Sequence, residues 1–306
     1  MNTLPVSVVI ITRNRPEMLE RCLDALDRQS PRSAQTVVVD ASDDLLTRDL
    51  VAKRGSITYL AFPRGRNRMP ESRNLGLTMV TEPIVAFIDD DSVVRDGWLA
   101  SLAESFQDAG VGAVGGPVFC TGDPVLDADM LPPIGVVDEL GTIIANFNFA
   151  AADPLRVMHL RGCNMSFRTE IINALGGFDR NYAGPNFMED TDMCMRVYEA
   201  GHGLVCNPGA VVDHLNAPKN PGCYTRDGRD VATQYWLCRN GAYFRLRHCR
   251  SSLALVRFLL KDSWWCLRDN LLFGREKRPR GVLANWLGKL VGILVHIRGG
   301  DSANRH

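Results

Sequence analysis

Along the first two thirds of the chain, short apolar runs alternate with polar stretches that carry helical spacing. Val6–Ile11 is apolar but for Ser7 and reads as a buried strand, followed by the polar loop Thr12-Arg13-Asn14-Arg15. Pro16 and Glu17 signal a helix start, and Met18, Leu19, Cys22, Leu23 and Leu26 then recur on one helical face. Val37-Val38-Val39-Asp40 is a second strand, so the first 40 residues predict a βαβ unit with a right-handed crossover. Ile57–Leu60 predicts a third strand, Glu71–Leu77 the start of a helix, and Ile84–Ile88 a further buried strand. That last strand runs directly into three consecutive acids, Asp89-Asp90-Asp91.

Beyond the acids the pattern predicts a helix from Trp98 to Phe106 and a Gly-rich strand over Val111–Val118. Residues 121–156, with four prolines, read as irregular. Arg161–Phe167 is strand-like, Thr169–Leu175 a short helix, and Phe178–Phe187 a polar, aromatic loop. Met188-Glu189-Asp190-Thr191-Asp192 opens a helix to about Ala200, and Gly203–Asn207 and Ala210–His214 read as two short strands. Asn216–Asp230 reads as a loop or lid, and from Thr233 onward the chain is helical and rich in Arg, Trp and Leu. The expected organisation is an α/β unit over residues 1–215, followed by a loop and basic amphipathic helices over 216–306.

Composition is ordinary for a folded globular chain, at 306 residues, 45% hydrophobic and 23% charged. The zero formal net charge hides an asymmetry: from Arg239 to the end there are 14 Lys and Arg against 4 Asp and Glu, a balance of +10. Basic helices bearing Trp and Leu can lie in a membrane interface, whereas the alternative is packing on the core or on a second subunit of a homodimer. No zinc-finger or RNA-recognition pattern accompanies the basic tail, which disfavours nucleic acid. The nine cysteines form no CxxC pair, which argues against a thiolate zinc site and fits reduced cytosolic thiols. The N-terminal residues lack the pattern of a signal peptide, and no run is long enough to predict a spanning helix. A cytoplasmic protein is expected, with the inner face of the membrane as its peripheral station.

The acid triplet lies where ligands collect in parallel α/β sheets, beyond the carboxyl end of a strand. Adjacent carboxylates repel unless solvent or a cation relieves them, and hard divalent ions take oxygen ligands and bridge phosphates. Neither GxGxxG nor GxxxxGK[ST] follows the first strand, which disfavours a nicotinamide enzyme and an ordinary nucleotide hydrolase. Asp40 can accept hydrogen bonds from a nucleotide, or simply close an Asx-turn into Ala41-Ser42. Glu189-Asp190 can serve as a general base, or only complement a helix dipole. His214, beside Asp213, offers an imidazole that suits Mn2+, although a lone histidine is more often packed or on the surface.

Together these segments resemble glycosyltransferase family 2 of the GT-A fold, an α/β architecture with a Rossmann-like mixed sheet, over roughly residues 5–215. The resemblance rests on Val6–Asn14, Val37–Asp40, Ser72–Gly76, Phe87–Asp91, Arg161–Ser166 and Met188–Arg196, in the family's order. It implies an inverting transfer of sugar from a nucleoside diphosphate, UDP foremost, to an acceptor hydroxyl on a glycan, a lipid-linked sugar or a small molecule. It assigns donor-nucleotide binding to Thr12, Arg13, Asn14, Asp40, Arg73, Asp89 and Asp90, with Arg73 approaching the diphosphate or ribose. Asp91, Asp89 and His214 would hold Mn2+ or Mg2+. Asp190 would be the base with Glu189 beside it, and Gly162, Cys163, Asn164 and Trp98 would border sugar or acceptor. The rival readings are a sugar nucleotidyltransferase, which lacks its Gly-rich loop here, and a non-catalytic sugar-nucleotide-binding scaffold.

Overall fold

The computed structural model describes residues 4–63, 68–120, 122, 125–127, 133–215, 230–249, 252–268, 271 and 279–303. Four parallel strands form one half of the main sheet: β1 (Val6–Thr12), β2 (Gln35–Asp40), β3 (Ile57–Ala61) and β4 (Ile84–Asp89). They are linked by α1 (Pro16–Asp27), α2 (Leu46–Ala52) and α3 (Met69–Leu77). The apolar runs form strands because both faces of this sheet are covered: Val8, Val9 and Ile10 are wholly buried. On α1 the buried residues are Leu19, Cys22, Leu23, Ala25 and Leu26, the spacing of one helical face. Helix α3 approaches β1 closely at Gly76, where an added Cβ would lie 2.4 Å from a methyl of Val9.

After the acids come β5 (Ser92–Val94), α4 (Trp98–Ser105), β6 (Val111–Gly115) and β7 (Val118–Cys120). The irregular stretch holds four two-residue strands, β8 (Leu126–Asp127), β9 (Val136–Val137), β10 (Ile143–Ile144) and β11 (Phe149–Ala150). It returns to the main sheet as β12 (Leu155–Val157) and is followed by β13 (Met165–Arg168), α5 (Thr169–Ala174), α6 (Glu189–Glu199), β14 (Gly203–Cys206) and β15 (Val212–His214). The main sheet has eight strands in the order β12-β14-β6-β13-β4-β1-β2-β3. Strand β13 runs antiparallel between β4 and β6, which makes the sheet mixed. Phe87 on β4, Phe167 on β13 and Phe178 pack edge to face or tilted beneath it, with ring centroids 5.0–6.4 Å apart.

A second sheet of three strands, β5-β15-β7, stands beside the acid triplet. Its register pairs His214 with Ser92 on one side and with Cys120 on the other. The predicted single strand over Val111–Val118 is therefore split: β6 belongs to the large sheet and β7 to the small one.

Residues 216–229, expected as a lid, lie outside the described residues. Helix α7 (Val231–His248) starts on an Asp230 cap that accepts from the Thr233 amide at 2.8 Å. Its Asn240 donates to the carbonyls of Ala183 and Phe187, and its Tyr243 hydroxyl donates to Asp179 at 2.7 Å, so α7 is docked on the loop before α6. Then follow α8 (Ser252–Arg257), a π-helical turn at Phe258–Asp262, α9 (Ser263–Leu267) and α10 (Pro279–Ala303). Helix α10 runs parallel to α7 at close range: a Cβ at Gly288 would lie 2.3 Å from the Tyr235 carbonyl oxygen, and one at Gly292 2.2 Å from that of Arg239. Among the described residues no helix is long and apolar enough to cross a membrane. The described cysteines are all unbridged, and burial pushes the thiols of Cys163, Cys194, Cys206 and Cys238 upward, which keeps them protonated.

Candidate active site

The carboxyl end of β4 delivers Asp89, a two-residue turn holds Asp90 and Asp91, and β5 leads away into the small sheet. The triplet separates by role. One ligand atom each from Asp89, Asp91 and His214 fall within 4.8 Å of one another. His214 Nε2 is 3.3 Å from Asp91 Oδ1. Burial opposes a charged imidazole here, but the hydrogen bond to Asp91 and the charges of Asp91 and Asp89 push His214 up to about 9.

Asp90 instead turns back to the end of β1. Its carboxylate accepts from Thr12 Oγ1 at 2.7 Å and from Arg15 Nε at 3.1 Å, and Arg15 also reaches Asp91 at 3.2 Å. Burial pushes Asp90 up to about 7 against the opposing pull of Arg15. Arg15 is a member of the acid cluster that sequence reasoning missed: it stood in the quoted polar loop, but nothing in the sequence set it apart from Arg13. Arg13 and Asn14 in fact hydrogen-bond Asp43, at 3.0 and 2.9 Å.

Arg73 is 1% exposed and lies under the acids. It pairs with Glu189, reaches Asp89 Oδ1 at 3.3 Å, donates to the Gly162 carbonyl at 3.2 Å and covers the Phe178 ring at 5.4 Å. Arg73, expected to approach the diphosphate or ribose, is paired with the carboxylates of Asp89 and Glu189. Glu189 is buried as well; desolvation pushes it up to about 7 although Arg73 favours the charged form.

Asp190 remains partly exposed at the first turn of α6. Its Oδ2 accepts from the Gly162 amide at 2.9 Å and its Oδ1 from the Thr191 amide at 2.8 Å, so the carboxylate is held in one orientation. Gly162 thus joins the two halves of the site, with its carbonyl on Arg73 and its amide on Asp190. A Cβ there would come within 3.0 Å of Asp190 Oδ2 and 3.2 Å of Arg73. The loop entering α6 is strained, since Asn186 (φ 57) and Met188 (φ 72) both adopt the left-handed region. Both polar atoms of the buried Asn186 amide lack a partner among the described residues.

Asp40 is 4% exposed, and each of its oxygens is engaged: Ser42 N donates to one at 2.8 Å, an Asx-turn, and the Tyr59 hydroxyl to the other at 2.8 Å. Trp98 and Asn164 lie in the protein interior. Trp98 is fully buried and its Nε1 donates to Asn164 Oδ1 at 2.9 Å, while the Asn164 amide donates to the Ala210 carbonyl at 2.8 Å. Cys163, 6% exposed, packs in the main core. The Trp98, Asn164 and Cys163 side chains, expected to border sugar or acceptor, are thus buried in the structure. Asn164 also donates to the Pro117 carbonyl at 3.4 Å, just before β7.

The family and the fold are shared with known proteins. A family profile described as "Glycosyltransferase like family 2" matches residues 4–233. The pre-mycofactocin glycosyltransferase of Mycobacterium tuberculosis (strain ATCC 25618 / H37Rv) is 29% identical over 212 residues, which cover 68% of this chain and 42% of that protein. The chain thus spans about two fifths of the length of that curated relative. Among solved structures, GalNAc-T7 with UDP, GalNAc and Mn2+ aligns over 89% of this chain and 59% of its own, with a TM-score of 0.61 at 17% identity. The mannosyltransferase PcManGT from Pyrobaculum calidifontis, in complex with GDP-Man and Mn2+, covers 97% of this chain and 88% of its own, with a TM-score of 0.56 at 17% identity. At these identities the likeness is one of fold, and the fold is GT-A.

Proposed function

Because this chain belongs to the glycosyltransferase-like family 2, we propose that it is a metal-dependent, inverting glycosyltransferase. In this reading it moves a sugar from a nucleoside diphosphate, UDP foremost, to an acceptor hydroxyl. The observation that carries the reading is the linkage of two centres through Gly162 and Arg73: the Asp89–Asp91–His214 cluster on one side and the fixed carboxylate of Asp190 on the other. Residues up to about 215 form the catalytic unit, and the helices beyond it form an appendage. The acceptor is a glycan, a lipid-linked sugar or a small molecule met at the cytoplasmic face of a membrane.

The donor set fits a divalent cation of the Mn2+ or Mg2+ class. Two carboxylate oxygens and an imidazole nitrogen converge, and the nitrogen favours Mn2+ over Mg2+. When bound there, such an ion supplies positive charge against the diphosphate as it leaves. The protein's own groups do the rest. Arg15 holds Asp90 and Asp91 in place. Arg73 fixes Asp89. Asp190, oriented by the amides of Gly162 and Thr191, takes the proton from the acceptor hydroxyl. The acceptor oxygen bonds to the anomeric carbon as the bond from that carbon to the diphosphate oxygen breaks. Attack on the face opposite the leaving group inverts the configuration, and no covalent enzyme intermediate is needed.

The test combines binding with turnover. Thermal shifts with UDP, dTDP, GDP, CDP and ADP, each with and without Mn2+, identify the donor class through stabilisation by mass action. Asp190→Asn should then keep the metal-dependent shift while transfer from the matching donor falls by more than about 100-fold. Unaltered transfer would remove Asp190 as the base. No shift with any nucleotide would favour the scaffold reading.

A further inference from the structure

We propose that the outer face of α10, together with the adjoining side of α8 and α9, is a membrane-docking surface that lies flat on an anionic bilayer. Helix α10 is packed on one side and apolar on the other. Toward α7 it turns Ala284, Gly288 and Gly292, small residues that allow the close approach. On the opposite side stand Leu283, Trp286, Leu287, Leu290, Leu294 and Ile297, each 42–60% exposed. At about 100° per residue these six fall within an arc of roughly 100°, opposite the buried face. A helix whose solvent side lacks charge over four turns is unusual in a protein surrounded by water.

A second stripe continues the surface. Leu253, Val256, Leu260 and Trp264 follow one another at intervals of three or four residues and are 46–65% exposed. The segment is fastened to α10 by buried Lys289, whose ammonium meets Asp262 and the Ser263 hydroxyl, both at 2.7 Å. Trp265 is also exposed, with Arg268 stacked on it at 3.6 Å.

Charge selects the occupant. Arg257, Lys261, Arg280 and Arg298 are exposed beside the stripes. The one acid of the described 252–268 segment, Asp262, is held by Lys289. An apolar face set with tryptophans and flanked by cations matches the interface of an anionic leaflet. A two-fold pairing of two copies through this face would instead bring arginines against arginines. Since no described helix is long and apolar enough to cross a bilayer, the contact lies in the plane of the interface. The use of the surface, bringing the cleft to an acceptor held in the membrane, rests on the glycosyltransferase reading; the surface itself does not.

Flotation of the whole chain tests it, with vesicles of phosphatidylcholine mixed with phosphatidylglycerol and vesicles of phosphatidylcholine alone. The protein should float with the mixed vesicles and much less with the neutral ones. The double variant Leu290→Glu/Leu294→Glu should lose at least about tenfold in partition, because each leucine contributes a factor of that order when it leaves water. Arg280→Glu/Arg298→Glu should lose the preference for the anionic vesicles. These positions are exposed, so thermal melts of the variants should match the parent. A parent that stays unbound with both vesicles overturns the proposal. So does a solution dimer, seen by sedimentation equilibrium, that the leucine variant dissolves. A chain that floats as expected but transfers no sugar overturns the transferase reading alone.

Discussion

Asp192→Asn should destabilise the protein strongly while leaving the Asp190 carboxylate, two residues away, in place. Asp192 is fully buried on α6. It accepts from Arg196 Nε at 2.9 Å, from the Tyr182 hydroxyl at 3.1 Å and from His248 Nε2 at 2.8 Å, with Arg247 at 3.4 Å. Burial works to raise this carboxyl, but the hydrogen bond from His248 and the charges of Arg196 and Arg247 hold it below the usual carboxylate range. An asparagine keeps the shape, discards the charge and must turn its NH2 toward groups that are themselves donors. Removing one partner from a buried ion pair costs about 3–5 kcal/mol. At about 2–3 °C per kcal/mol for a chain of this size, Tm should fall by about 6–15 °C. The loss depends on pH. Burial lowers His248, but Asp192 and Glu199 raise it above its ordinary 6.5 overall. Its stabilisation is therefore complete below that value and disappears as pH rises through the folded pKa. The gap between parent and variant melts should narrow as pH rises across and above 6.5, the ordinary value from which His248 is raised. Melts across that range, with donor-nucleotide titrations as the control, decide the matter. A Tm within about 2 °C of the parent, or a gap that ignores pH, would refute the reasoning.

Three further outcomes follow from the geometry. Asp91→Ala should reduce the Mn2+-dependent part of nucleotide affinity, measured by calorimetry with and without metal; equal affinities with and without metal in the parent protein would remove the metal assignment. Glu189 titrates near 7 in the fold against an ordinary 4.5, so the native state holds its proton more tightly and stability falls as pH rises between those values. Glu189→Gln should flatten that decline, which is on the order of 3 kcal/mol, in urea unfolding followed from about pH 4.5 to 7. Gly292→Leu puts a side chain where the α7 backbone lies and should loosen α10 by about 1–3 kcal/mol, exposing it to limited proteolysis while donor binding persists.

Much of the first half of the fold was legible because both faces of its parallel strands are covered, which forces continuous apolar runs such as Val6–Ile11 and Ile84–Ile88. The acids were legible because a charged cluster at the end of such a run has few purely structural reasons to exist. What the sequence did not disclose is direction. Trp98 and Asn164 look like cleft residues when read in a line, yet they meet each other in the core, 66 positions apart. Arg73 sits in a helix whose neighbouring Ser72 and Gly76 gave no hint that the guanidinium would be buried. Glu189, Asp190 and Asp192 look alike in sequence, whereas the turn of α6 sends them respectively to Arg73, to the Gly162 amide and to His248. The small sheet was unreadable because its strands are three residues long and far apart in sequence.

The corner between the two sheets consists of two aspartates. Asp89 ends a strand of the large sheet, His214 ends one in the small sheet, and Asp91 lies in the turn between β4 and β5. Thr12 and Arg15 clasp the intervening Asp90 to β1. The spacing of Asp89, Asp91 and His214 is therefore set by how the small sheet sits against the large one. A cation held by all three would act as a cross-link between the sheets, tying the end of β4 to the end of β15.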